Sequence, residues 1–156
     1  MKKKIIIIII SILVALACIY FIYNSKQEAP SLKEDEIALD ITLDLKEDIG
    51  LLLIGYNVNG KEGSGGVSNA DKSLLKHNEH LYHTLSKQDF SNETNLDNLK
   101  LYFKVVTKYV DPNFEDIYPE EYTKEINPLT INAKYGETYK ITITGDNVNG
   151  YQAILN

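Results

Sequence analysis

Residues 5 to 23 carry no charge, and their only polar side chains are Ser11, Cys18 and two tyrosines. At 1.5 Å rise per residue such a run makes a helix of roughly 28 Å, one hydrocarbon core. Lys2, Lys3 and Lys4 precede it and the flank that follows turns acidic. Cations stay on the cytoplasmic side, so the segment predicts a single-pass helix with its N-terminus inside and the rest of the chain outside. Tyr20 and Tyr23 fall at the outer end of the run, where amphipathic rings favour the interface. The organisation expected is a membrane anchor at 1–23, a polar linker at 24–35 and one extracytoplasmic domain at 36–156.

The same segment fits an export signal, because a charged start, an apolar stretch and a small residue precede Cys18. Val14-Ala15-Leu16-Ala17-Cys18 resembles the bacterial lipobox, whose cysteine is lipidated after cleavage. It departs from that pattern in having Ala15 where leucine is usual and in staying apolar through Tyr23. The uncleaved anchor is the first expectation and lipidation at Cys18 the alternative; both place a bacterial protein at the envelope.

Cys18 is the only cysteine, so the exported part has no internal disulfide and no thiolate site. The chain has 16 lysines, no arginine and 22 acidic residues. Setting aside the three leading lysines leaves 13 against 22, a net charge of −9. Nucleic acid is therefore not expected as a partner, since phosphate binding needs clustered cations.

Beyond the linker the patterning is that of strands. Ile37, Leu39, Ile41, Leu43 and Leu45 alternate with polar or small residues at period two, giving one buried and one wet face. Residues 50–58 form a more continuous apolar stretch, and Glu47-Asp48 between the two predicts a hairpin. The glycine-rich segment 60–66 reads as a loop. Residues 98–110, 129–134, 138–145 and 150–155 read as further strands, with Tyr102, Lys104, Val106 and Lys108 on the face opposite Leu101, Phe103 and Val105. Residues 68–90 mix helical and extended signals, read here as a loop followed by a strand near 80–86. Phe114, Tyr118, Tyr122 and Ile126 recur every four residues, which predicts a short helical insertion with its acids in water. The pattern Gly-Xaa-Asn-Val-Asn-Gly occurs at 55–60 and again at 145–150, read as two similar turns.

Gly136-Glu137-Thr138-Tyr139-Lys140-Ile141-Thr142-Ile143 resembles the tyrosine corner of immunoglobulin-like and fibronectin type III domains. The resemblance covers residues 129–155. It implies that Gly136 supplies the turn and that Tyr139 opens a strand and bonds backbone across the corner. It also implies an all-β, antiparallel immunoglobulin-like sandwich of about seven strands following the N-terminal transmembrane or signal helix. The chain lacks tryptophan and a cysteine pair, so it is not an antibody-type domain.

Three constellations bear on chemistry. His77, His80 and His83, beside Glu79, suggest zinc, but on a strand His80 points away from the other two and the order fits no metalloprotease pattern. Asp111, Glu115, Asp116, Glu120, Glu121 and Glu125 recommend calcium, yet their spacing matches no calcium loop. Ser73-Leu74-Leu75-Lys76 matches a serine-nucleophile pattern whose partner motifs are absent. No catalytic set is identified, and no cofactor is required. The function expected is a membrane-tethered extracytoplasmic module that binds a protein or glycan at the cell envelope, with Tyr118, Tyr122, Asp116 and Glu120 as binding residues. The alternative is a zinc-dependent sensor or enzyme centred on His77, His80 and His83.

Overall fold

The computed structural model describes residues 31–108 and 119–156. The apolar run at 5–23, Cys18, most of the linker, Asp116 and Tyr118 lie outside the described residues. Among the described residues no helix is long and apolar enough to cross a membrane.

Residues 31–156 form one compact unit. Eight strands follow in order: β1 (Glu36–Leu45), β2 (Leu51–Val58), β3 (Lys61–Val67), β4 (His80–Ser86), β5 (Leu96–Val106), β6 (Thr123–Ala133), β7 (Thr138–Asp146) and β8 (Gly150–Leu155). They make two four-stranded sheets, β4-β1-β7-β8 and β3-β2-β5-β6. The all-β sandwich expected from period-two patterning is present, with two differences. There are eight described strands, and the arrangement is not wholly antiparallel, because β1 and β7 run parallel. The β1–β7 pair joins early and late parts of the chain, a relation no local pattern encodes.

The core follows from the alternation. Ile37, Leu39, Ile41 and Leu43 of β1 are fully buried against Leu52 and Ile54 of β2, Leu99, Leu101 and Val105 of β5, and Ile141 and Ile143 of β7. Each such aliphatic side chain contributes about 1.5–3 kcal/mol by leaving water. The apolar faces of both sheets meet each other, and their polar faces look outward.

The expected β1–β2 hairpin is corrected: β1 and β2 belong to different sheets, and residues 46–50 carry the chain across the sandwich. The crossing is tied down by Ile49, bridged to Leu75 through 3.0 and 2.8 Å backbone bonds. The expected loop at 60–66 is corrected too, since it is mostly the edge strand β3. The Asn59-Gly60 turn, with φ of 50° and 77°, closes a β2–β3 hairpin, as two-residue turns with positive φ do. Gly63 is required there, because a Cβ would fall 2.0 Å from the Tyr56 hydroxyl.

The four-residue recurrence at 114–126 does not make a helix across its described half. A single 3-10 turn, Glu120–Tyr122, leads directly into β6, where Ile126 is buried as a strand residue. Pro128 sits in this edge strand, where the β5–β6 register slips between Leu101 and Phe103, so its missing N–H costs no ladder bond. Phe90 closes one end of the core. It packs edge-on against Tyr56 at 4.9 Å and Tyr135 at 6.3 Å, and those tyrosines donate to the backbone oxygens of Asp89 and Glu93.

At the corner before β7, the Tyr139 hydroxyl accepts the Lys134 N–H at 2.8 Å and donates to Glu137 at 2.6 Å. Gly136 has φ of 81° and donates its N–H to the Glu36 carbonyl at 2.7 Å, pinning the corner to the start of β1. Burial first, then the Glu137 contact, raises the Tyr139 pKa, which keeps the proton that the hydroxyl donates to Glu137.

Candidate binding face

The outward face of β3-β2-β5-β6 holds a concavity of about 680 Å³ whose lining includes Leu53, Gly55, Ser64, Tyr102, Lys104, Glu120, Thr123 and Glu125. Strand parity puts these residues there. Leu52, Ile54 and Tyr56 point into the core, so Leu53 and Gly55 point out, beside their ladder partners Lys104 and Tyr102. Gly55 lacks a side chain where Tyr102 crosses it; a Cβ on Gly55 would be 3.5 Å from Tyr102 Cβ. Tyr102 is 36% exposed, which leaves an aromatic side chain open to a ligand.

One side of the concavity is charged. Lys104 Nζ meets Glu125 Oε1 at 2.6 Å, and that bond holds the Glu125 carboxyl below its usual pKa. Thr123 donates its hydroxyl to the Pro119 carbonyl at 2.9 Å. Tyr122 is fixed by the Thr107 N–H bonding its carbonyl at 2.9 Å, and Lys108 Nζ stands 4.0 Å above its ring. Among the described residues the Ser64 hydroxyl is bonded to no histidine, lysine or carboxylate. An apolar floor with one aromatic ring, an ion pair and scattered hydroxyls combines the apolar surface and the few placed polar groups from which ligand sites are built.

Of the expected binding residues, Glu120 lines the concavity and Tyr122 anchors the 3-10 turn next to it. Asp116 and Tyr118 lie outside the described residues. Leu53, Gly55, Ser64 and Tyr102 were not singled out from sequence. The signal available was the outward parity of residues 102 and 104, extended across the ladder to β2.

The histidines serve separate local roles. His77 Nδ1 lies 2.9 Å from Asp48, which also takes the His77 N–H at 3.0 Å and Lys76 Nζ at 2.7 Å. Lys76 first, then these His77 bonds, hold the Asp48 carboxyl far below the usual range. His80, on the outward side of β4, has Nδ1 3.3 Å from the Thr42 hydroxyl and 3.8 Å from Asp40. His83 turns the other way, toward Gly65 of the opposite sheet, and burial lowers its pKa. Among the described residues its Nε2 is buried without a partner. Among the described residues no group of three or more His, Cys, Asp or Glu side chains converges as a metal site would require. The expected zinc triad is thus not assembled: β4 sends His80 and His83 to opposite faces, and Asp48 takes His77.

Asp146 in the late turn has spent its oxygens on protein. Its carboxylate takes the N–H groups of Val148 and Asn149, the Asn149 side-chain amide and Lys46. Lys46 first, then Asn149, hold its pKa far below the usual range.

The described part is an all-β sandwich of two four-stranded sheets with an open concavity on one outer face. A scan against protein-family models finds no match, and neither does a search of curated proteins. Among solved structures, the chain is similar to a protein from Eubacterium rectale at a TM-score of 0.41 and 8% identity, over 83% of this chain and 94% of that one. The membrane-binding domain of pneumolysin gives 0.35 and 12%, over 78% and 94% respectively. Intermedilysin, solved with human CD59, gives 0.39 and 11%, over 78% of this chain but 24% of the toxin. At these TM-scores and identities the likenesses carry no argument about activity.

Proposed function

We propose that this chain is a membrane-tethered extracytoplasmic binding module of the bacterial cell envelope. Residues 5–23 anchor it, with the N-terminus inside, and the sandwich presents its β3-β2-β5-β6 face to a protein or glycan. The observation that carries this reading is the open concavity floored by Leu53 and Gly55 and walled by Tyr102, beside the Lys104–Glu125 pair. Supporting an immunoglobulin-like relationship is the Tyr139 bond to the Lys134 backbone; the parallel β1–β7 pair is its main departure. A metal-dependent reading has no corresponding geometry among the described residues.

The test uses the full chain in lipid nanodiscs, titrated with purified wall polysaccharide and with separated envelope proteins. Tyr102→Ala is expected to weaken capture at least tenfold while leaving the thermal midpoint within a few degrees. Failure to bind any fraction, or equal binding by wild type and Tyr102→Ala, removes the proposal. Intact mass after membrane extraction decides the anchor: retention of residues 1–23 supports the single-pass helix, and cleavage with acylation at Cys18 supports the lipoprotein.

A further inference from the structure

Among the described residues, strand β3 is an edge of its sheet with no strand paired on its outer side. Its backbone orientation follows from the hairpin. Val58 and Lys61 close a two-residue turn, so the hydrogen-bonded pairs run Val58–Lys61, Tyr56–Gly63, Ile54–Gly65 and Leu52–Val67. The residues between them, Glu62, Ser64 and Gly66, turn their N–H and C=O groups away from β2. All three are exposed, and among the described residues no backbone bond outside the ladder reaches them.

Edge strands are ordinarily defended by a proline, a bulge or charges along their length. The other edge of the same sheet, β6, has Pro128, a register slip and Lys124 with Glu125. It also lies alongside β8 of the opposite sheet. β3 has neither proline nor bulge, and its only charges are Lys61 and Glu62 at the turn end.

The undefended segment is complementary to itself. Laid antiparallel against a second copy with the two-fold axis at Ser64, it pairs Ser64 with Ser64 and Glu62 with Gly66. Two bonds for each of the three pairs give about six backbone hydrogen bonds. Glu62 of one copy arrives where Gly66 of the other has no side chain, so like charges stay apart. Gly63 and Gly65, opposite one another, leave the junction flat. A register moved by two residues loses bonds at one end.

We propose that β3 is a homodimerisation edge, at which two copies join their β3-β2-β5-β6 sheets into one eight-stranded sheet. The two concavities then lie on a continuous surface, with the Ser64 residues at its centre. This inference does not depend on what the concavity binds.

The register gives a direct test in the full chain in membranes, in a Cys18→Ser background. Paired residues in the hydrogen-bonded position have Cα atoms about 5.5 Å apart, within disulfide reach. Ser64→Cys should therefore form a disulfide-linked dimer under mild oxidation. Glu62→Cys should not, because at about 3.4 Å per residue the two copies of position 62 are more than about 13 Å apart. Equal cross-linking at both positions, or none at Ser64→Cys, overturns the proposal. Sedimentation of detergent-solubilised protein supplies the second arm. Ser64→Pro removes an outward N–H that the monomer does not use, so it should raise the dimer dissociation constant at least tenfold with the thermal midpoint of the dilute protein unchanged. A wild-type chain that remains monomeric at the highest soluble concentration also overturns it.

Discussion

Residues 55–60 and 145–150 share the pattern Gly-Xaa-Asn-Val-Asn-Gly, yet they turn the chain at different places. In the first, the strand runs on through Val58, which is 1% exposed, and Asn59-Gly60 alone make the turn. In the second, the strand stops at Asp146, the turn is Asn147, Val148 and Asn149, and Val148 is 90% exposed. The variable residue accounts for the difference. Tyr56 puts its ring into the core against Phe90 and sends its hydroxyl to Asp89, which holds the following residues extended. Asp146 instead gathers the N–H groups of Val148 and Asn149, folding the backbone around its carboxylate. Five shared residues do not determine the turn; the side chain that seeks the core or the backbone does.

The largest expected contrast is at the leading glycines. Gly145 has φ of 119°, and a Cβ there would lie 2.2 Å from the Gly150 carbonyl oxygen. Gly145→Ala should lose more than about 3 kcal/mol in urea unfolding, through strain and a backbone clash together. Gly55→Ala should change stability by less than about 1 kcal/mol, because its Cβ meets Tyr102 at an ordinary distance. Similar losses at both positions would break the comparison.

Next are the valines. Val58→Ala should cost about 1.5–3 kcal/mol, and Val148→Ala less than about 0.5 kcal/mol, in the same assay. The third contrast is with pH. A depressed folded-state pKa makes the Asp146 contribution complete above the ordinary carboxylate value, about 4, and lost as pH falls through the lowered value. The difference in thermal midpoint between wild type and Asp146→Asn should therefore be greatest near neutrality and shrink in acid below about pH 4. A gap that widens on acidification contradicts the assigned role. The smallest contrast is at the second asparagine. Asn149→Gly, which loses two 2.9 Å bonds to Asp146, should cost about 1 kcal/mol, while Asn59→Gly, which loses one exposed 3.3 Å bond to the Asn95 carbonyl but already sits at positive φ, should cost less than about 0.5 kcal/mol.

The parts legible in sequence were those where one side-chain period suffices. β1 is the clearest: all five of its predicted inward residues are buried. The strand near 80–86 emerged from a mixed signal, since Leu81 and Leu85 share the inward face of β4 with His83. What stayed hidden depends on distant partners. Glu47 and Asp48 looked like a hairpin turn, but Glu47 holds the Asn147 N–H and the Tyr151 hydroxyl, and Asp48 holds residues 76 and 77. β3 has no hydrophobic alternation because Tyr56 and His83 occupy the space its inward side chains would fill. The concavity was legible only by half: Tyr102 and Lys104 were on the expected wet face, whereas Leu53 and Gly55 looked like parts of a continuous apolar run.

The central position of β1 has a mechanical consequence. The strand is bonded along its length to β4 on one side and to β7 on the other. Tension applied at Glu36 along the strand axis therefore loads both ladders in shear, so many hydrogen bonds resist together rather than opening one after another.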